Sequence, residues 1–159
     1  MQTRIGLGYD VHRLVPGRAL YLGGVRIPHP RGLAGHSDGD ALIHAVIDAI
    51  LGATGQGDIG RHFPDDDPRT ENIRSPLLLK KVMAGLAQKK LKVISLDSVI
   101  VAEKPRLASY VDAMKDILSP LLHIRRERLG IKAKTNEGLG LIGGQKAIAC
   151  WAVVLVGKK

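Results

Sequence analysis

The residues best suited to chemistry lie in three places along the chain. The stretch GHSDGDALIHAVIDAILG, residues 35–52, carries His36, Asp38, Asp40, His44 and Asp48 within an otherwise apolar run. The segment DVH near the start offers Asp10 and His12. The segment TNE, residues 135–137, sets a hydroxyl and a carboxylate directly before glycines at 138, 140, 143 and 144. Asp10, His12 and His44 make a donor set of one oxygen and two nitrogens. Such a borderline set suits Zn2+, and three protein ligands leave a coordination position open, as a catalytic zinc needs. Glycine turns free backbone N–H groups to cradle phosphate; Thr135 can bind a phosphate oxygen and Glu137 can hold a hard cation such as Mg2+ on that phosphate. Metal, glycine turn and basic charge point together to phosphate chemistry, in which a protein mainly positions groups and neutralises charge. Each feature alone also has a plainer use: a strand end facing water, a solvated helix face, an ordinary glycine loop.

The elements that must position these residues follow from periodicity. Residues 3–12 alternate, so Ile5, Leu7, Tyr9 and Val11 share one side of a strand and Gly6, Gly8, Asp10 and His12 the other. The two glycines leave their face open to close approach of another backbone or a ligand. In residues 35–52 the apolar positions recur at helical spacing, with Ser37 or Asp38 as the expected cap and Gly52 near the stop. An early helix start would align His36, Asp40, His44 and Asp48, spaced i, i+4, i+8 and i+12, in one polar stripe. Residues 19–28 read as a second strand broken at Gly23-Gly24, expected to pair with the first as a hairpin. The run DIGRHFPDDDPRTENIRS reads as an exposed loop, with Asp58 its best placed hydrogen-bonding group. Further along come a helix opened by Ser75-Pro76, a strand over 91–102, a helix over 106–122, a strand over 129–134 and a buried strand over 147–156. Strands alternating with helices predict an α+β fold: a two-layer sandwich with a four-stranded mixed sheet and helices on one face.

The 159 residues, 45% of them apolar, fit a single domain over 1–159. Cys150 is the one cysteine, so no internal disulfide is possible and a reducing, cytoplasmic setting is expected. The N-terminus enters its alternating pattern at once, without the look of a signal peptide. The longest apolar run, AIACWAVVLVG, is about half of a bilayer span, which argues against a membrane protein. A net charge of +9 favours anionic partners, but dispersed cations and 3% aromatic residues argue against nucleic acid and for small phosphorylated molecules.

The segments GLGYDVHRL, LAGHSDGDALIHAVIDAILGATGQGDIG, HFPDDDP and KAKTNEGLGLIG, in this order and spacing, resemble the 2-C-methyl-D-erythritol 2,4-cyclodiphosphate synthase family over nearly the whole chain, from Arg4 to Val156. The resemblance implies a lyase of non-mevalonate isoprenoid biosynthesis. Its substrate would be 4-diphosphocytidyl-2-C-methyl-D-erythritol 2-phosphate, whose 2-phosphate attacks the β-phosphorus of its own diphosphate and expels CMP. It implies a homotrimer with active sites between subunits, Zn2+ on Asp10, His12 and His44, and a second ion, Mg2+ or Mn2+, leaning on Glu137. By the same resemblance His36 and Ser37 hold the attacking phosphate, Thr135 binds the diphosphate, and Asp58 and Gly60 meet the erythritol hydroxyls. The resemblance further implies that Asp65 falls in a mobile flap, and that a neighbouring subunit's Ala102, Lys104, Pro105, Arg106 and Leu107 line the cytidine pocket, with Lys104 and Arg106 near the CMP phosphate. Asp48 is expected to support a ligand histidine.

Two departures qualify the match. The common TTTE run is Lys134-Thr135-Asn136-Glu137 here, which keeps the central threonine and the glutamate. Gly144 stands where many members carry an arginine tied to an isoprenoid-diphosphate site in the trimer's central cavity, so the resemblance does not carry that site over. The same residues also suit a metal-dependent phosphohydrolase, or a noncatalytic module stabilised by its metal.

Overall fold

A computed structural model describes residues 3–158. The strands are β1 (Thr3–Pro16), β2 (Leu20–Leu22), β3 (Val25–Ile27), β4 (Arg31–Leu33), β5 (Leu91–Val101), β6 (Leu129–Lys134) and β7 (Ala147–Lys158). The helices are α1 (Ala41–Ala53), α2 (Ile59–His62), α3 (Ser75–Gln88), α4 (Val111–Leu122) and α5 (Gly140–Gly143). The main sheet is mixed and has five strands, in the order β4-β1-β7-β5-β6, with only β5 and β6 parallel. The expected count of four is therefore one short, because Arg31–Leu33 is too brief to show an alternation yet extends the sheet along Leu14–Pro16. The expected hairpin between the first two strands does not form. Residues 19–28 fold on themselves into a separate β2-β3 ribbon, turning at Gly23 and Gly24, where both φ angles are positive.

The long helices pack on one face of the sheet, and α1 lies directly across β1 and β7. The close fit comes from Gly6 and Gly8. A Cβ on Gly6 would stand 1.8 Å from the Ala49 carbonyl oxygen, and one on Gly8 1.8 Å from that of Ala45. The open face read from the sequence is thus filled by a helix backbone. Leu42, Ile43, Val46, Ile47 and Ile50 of α1 join Ile100, Ile148, Val154 and Val156 in one core. The opposite sheet face is uncovered: Ile5, Leu7, Tyr9 and Val11 are 72%, 67%, 48% and 44% exposed.

Helix α1 starts later than the sequence stripe required. Asp40, not Ser37 or Asp38, caps it, accepting from Ile43 N–H at 3.1 Å. His36 and Asp40 therefore lie outside the helix, and only His44 and Asp48 remain on its polar side. Asp40 is fully buried and also accepts from Gly23 N–H at 2.9 Å and Gly24 N–H at 2.6 Å, tying the ribbon turn to the helix start. Burial and the neighbouring Asp38 charge push its carboxyl above the usual range, against the pull of these three N–H donors.

Candidate active site

Two elements bring the predicted metal ligands together. On β1 the period-2 alternation sets Asp10 and His12 on the helix-facing side, and α1 presents His44 to them. Asp10 Oδ2 stands 2.7 Å from His12 Nε2 and 3.1 Å from His44 Nδ1, and the two nitrogens are 3.1 Å apart. Ligands of a tetrahedral ion stand roughly 3.3 Å from one another, so these three atoms are close enough to share one metal ion. The far side of each ring is engaged as well. His12 Nδ1 donates to the Ala34 carbonyl, which leaves Nε2 facing the centre. His44 Nε2 lies 3.1 Å from Ser37 Oγ and 3.0 Å from Ser75 Oγ.

Electrostatics match the geometry. Burial works against the Asp10 charge, but the imidazoles beside it, His12 at 2.7 Å foremost, outweigh it and bring the carboxyl down to about 2. Burial likewise opposes a charge on His12, yet the hydrogen bond and charge of Asp10 raise it above its ordinary value. A proton on His12 thus does in the metal-free protein what a cation would do: it separates lone pairs that converge on one point. Among the described residues Asp10, His12 and His44 form the cluster able to hold an ion, and Glu137 is not part of it.

A cleft of about 220 Å³ opens over this centre, and its walls include His36, Ser37, Gly60, Asp65 and Phe63. Arg18 orders the 35–37 turn by donating to the carbonyls of Gly35, at 3.0 Å, and Ser37. His36 Nε2 donates to the Asp67 carbonyl at 3.1 Å, and Asn72 N–H to the His36 carbonyl at 2.8 Å, so the acidic segment folds over the cleft. Its Asp67 carboxyl is held down to about 2 by hydrogen bonds from Arg69. Asp58 caps α2 through Arg61 N–H at 3.0 Å and lies outside the cleft lining. Asp48 is expected from the sequence to support a ligand histidine; its Oδ1 instead accepts from Ile59 N–H at 2.7 Å and so fixes the Ile59-Gly60 wall.

The other predicted residues gather elsewhere. Ala102, Pro105, Arg106, Leu107 and Thr135 line a second hollow of about 160 Å³. Lys104 is exposed beside it. Thr135 Oγ1 donates to Glu137 at 2.6 Å, and Glu103 accepts from Asn136 N–H at 3.1 Å, bracing the loop. Both hollows open toward one end of the sheet, since Asp10, Cys150 and Ile100 are register partners on β1, β7 and β5. Sequence reading missed Arg18, Ser75, Arg74 and Glu103, whose roles arise between segments far apart in the chain. Only Ser75 carried a local signal, as a helix start; Arg74 is in fact the cap residue and Ser75 opens the helix.

An α+β domain with an Asp-His-His cluster able to hold a metal ion at the floor of an open cleft has the build of an enzyme. The chain matches the YgbB family over residues 3–157. It is 51% identical over 156 residues to 2-C-methyl-D-erythritol 2,4-cyclodiphosphate synthase of Fusobacterium nucleatum, covering 98% of each chain. A solved structure of a 2-C-methyl-D-erythritol 2,4-cyclodiphosphate synthase bound to CDP superposes with a TM-score of 0.89 at 42% identity, over 97% of this chain and all of that one. The bifunctional IspDF of Campylobacter jejuni aligns at 37% identity and a TM-score of 0.94, over 99% of this chain and 43% of the longer one. The chain belongs to the cyclodiphosphate synthase family.

Proposed function

We infer that this chain is a phosphorus–oxygen lyase, the synthase that converts 4-diphosphocytidyl-2-C-methyl-D-erythritol 2-phosphate to 2-C-methyl-D-erythritol 2,4-cyclodiphosphate and CMP in the non-mevalonate route. The observation that carries the mechanism is the convergence of Asp10, His12 and His44 beneath the His36-Ser37 turn. A 2-phosphate oxygen bonds to the β-phosphorus, and the bond from that phosphorus to the oxygen bridging it to CMP breaks. Nucleophile and electrophile share one molecule, so the protein need only hold the attacking oxygen in line. Zn2+ on Asp10, His12 and His44 would supply Lewis-acid polarisation of the β-phosphate, with Mg2+ or Mn2+ beside Glu137 adding neutralisation of the diphosphate.

The chain's own groups do the rest. His36 and Ser37 donate to the 2-phosphate from the cleft rim. Asp58 and Gly60 meet the erythritol hydroxyls, and Asp65 belongs to the segment that closes over them. Thr135 donates to the diphosphate. Ala102, Pro105 and Leu107 receive the cytosine, with Lys104 and Arg106 drawing in the CMP phosphate.

The enzyme acts as a homotrimer. Two features support this: the uncovered apolar sheet face, and the division of the site residues between two hollows of one chain. A cytoplasmic setting suits its single buried cysteine, and among the described residues no helix is long and apolar enough to cross a membrane. Incubation with the cytidylyl 2-phosphate substrate, Zn2+ and Mg2+, followed by 31P NMR, should give CMP and cyclic diphosphate in equal amounts. Inorganic phosphate or a linear product would overturn the reading.

A further inference from the structure

Two serines compete for the outer nitrogen of His44, and their surroundings separate them. Ser75 is fully buried, takes no part in lining the cleft, and donates its hydroxyl proton to Asp38 Oδ1. Asp38 can only accept at that point. Its Oδ2 takes Ser75 N–H at 3.0 Å and Arg74 Nε at 3.0 Å, and its Oδ1 also takes Asp40 N–H at 3.2 Å. With its one proton committed, the Ser75 oxygen can only accept from His44. His44 Nε2 must therefore carry the hydrogen, so that in the neutral ring, the form a metal binds, Nδ1 is bare toward Asp10 and His12. Ser37 differs. It lines the cleft and its oxygen accepts from Gly39 N–H at 3.3 Å, while its own proton is not committed to a protein acceptor.

We propose that Ser75 and Asp38 are a positioning pair that fixes the His44 tautomer for metal ligation, leaving the Ser37 hydroxyl proton for the substrate phosphate. Arg74 completes the pair: it anchors Asp38, donates to the Gly24 carbonyl at 3.0 Å and stacks 4.0 Å from the centre of the Tyr21 ring. The β2-β3 ribbon is thereby braced against the outer side of the metal centre. The assignment rests on Asp10, His12 and His44 being metal ligands.

Zinc affinity by competition with a chromogenic chelator separates the serines. Ser75→Ala should weaken binding by about 10–100-fold, Asp38→Asn by a similar factor, and the double variant by no more than the worse single one. Ser37→Ala should stay within about threefold for zinc while raising KM, because its proton serves the substrate. The visible spectrum of the Co2+ form should shift in Ser75→Ala and not in Ser37→Ala. In zinc-loaded unsubstituted protein, 15N NMR of the His44 ring should show a protonated Nε2. Unchanged zinc affinity and Co2+ spectrum in both Ser75→Ala and Asp38→Asn would overturn the pair, as would a protonated Nδ1. An unsubstituted protein that takes up no zinc would instead overturn the ligand assignment beneath it.

Discussion

At the scale of single residues, the Asp10–His12 contact has consequences in acid and base that run opposite ways. Asp10 is depressed from 3.8 to about 2, so its contribution to the metal-free fold is complete above 3.8 and lost as pH falls through about 2. His12 is raised above 6.5, so its contribution is complete below 6.5 and lost as pH rises through the raised value. Both are therefore in force between about pH 4 and 6.5. Replacing Asp10 by asparagine should cost the metal-free protein about 2 kcal/mol in that window, a drop of roughly 4–8 °C in Tm, checked by thermal melts across pH. Zinc bound at the proposed site would displace the His12 proton, so its affinity should climb with pH through the same titration, as chelator competition would record. Removing the His44 imidazole by His44→Ala takes away one of the three proposed ligands. Metal analysis should find the zinc lost, and 31P NMR should find turnover at least ~1000-fold lower.

At the scale of elements, the site depends on how closely α1 rides on β1. An alanine at Gly8 would drive its Cβ into the Ala45 carbonyl, a backbone atom that cannot swing aside. Gly8→Ala should cost about 3 kcal/mol or more and weaken zinc, since His44 would be lifted from Asp10 and His12. Gly85→Ala is the control: a Cβ there meets nothing within 4 Å on α3, so it should gain roughly 0.5–1 kcal/mol by helix propensity. Denaturant melts with zinc titration distinguish the two. The sequence made this junction legible because the glycines fall on the same alternation as Asp10 and His12. It also placed His44 correctly, since apolar spacing alone orients a helix. The late start of α1 was not legible, because Ser37, Asp38 and Asp40 are all good caps and the choice is made by Gly23 and Gly24 across the core. Nor was β4, whose three residues gain strand geometry only from β1.

At the scale of the whole molecule, the sheet face bearing Ile5, Leu7, Tyr9 and Val11 is large and apolar for a protein that stays in solution alone. If this face joins the chains of the proposed trimer, Leu7→Asp should shift the particle toward the mass of one chain by light scattering and abolish turnover, while leaving zinc on the monomer because the proposed ligands sit on the other face. The stronger test concerns where one active site begins and another ends. If each site pairs the metal cleft of one chain with the 102–107 and 135 hollow of a neighbour, a chain lacking His44 still offers a sound hollow. A chain with Thr135→Ala and Arg106→Glu still offers a sound cleft. Each variant alone should be inactive. Unfolded together, mixed in equal amounts and refolded, they should recover about a quarter of the unsubstituted activity, because about one junction in four joins two sound halves. A site confined to one chain would recover nothing, since every chain in the mixture carries a defect. Activity returning only after co-refolding, and not on simple mixing of folded variants, would also show that the subunits do not exchange during turnover.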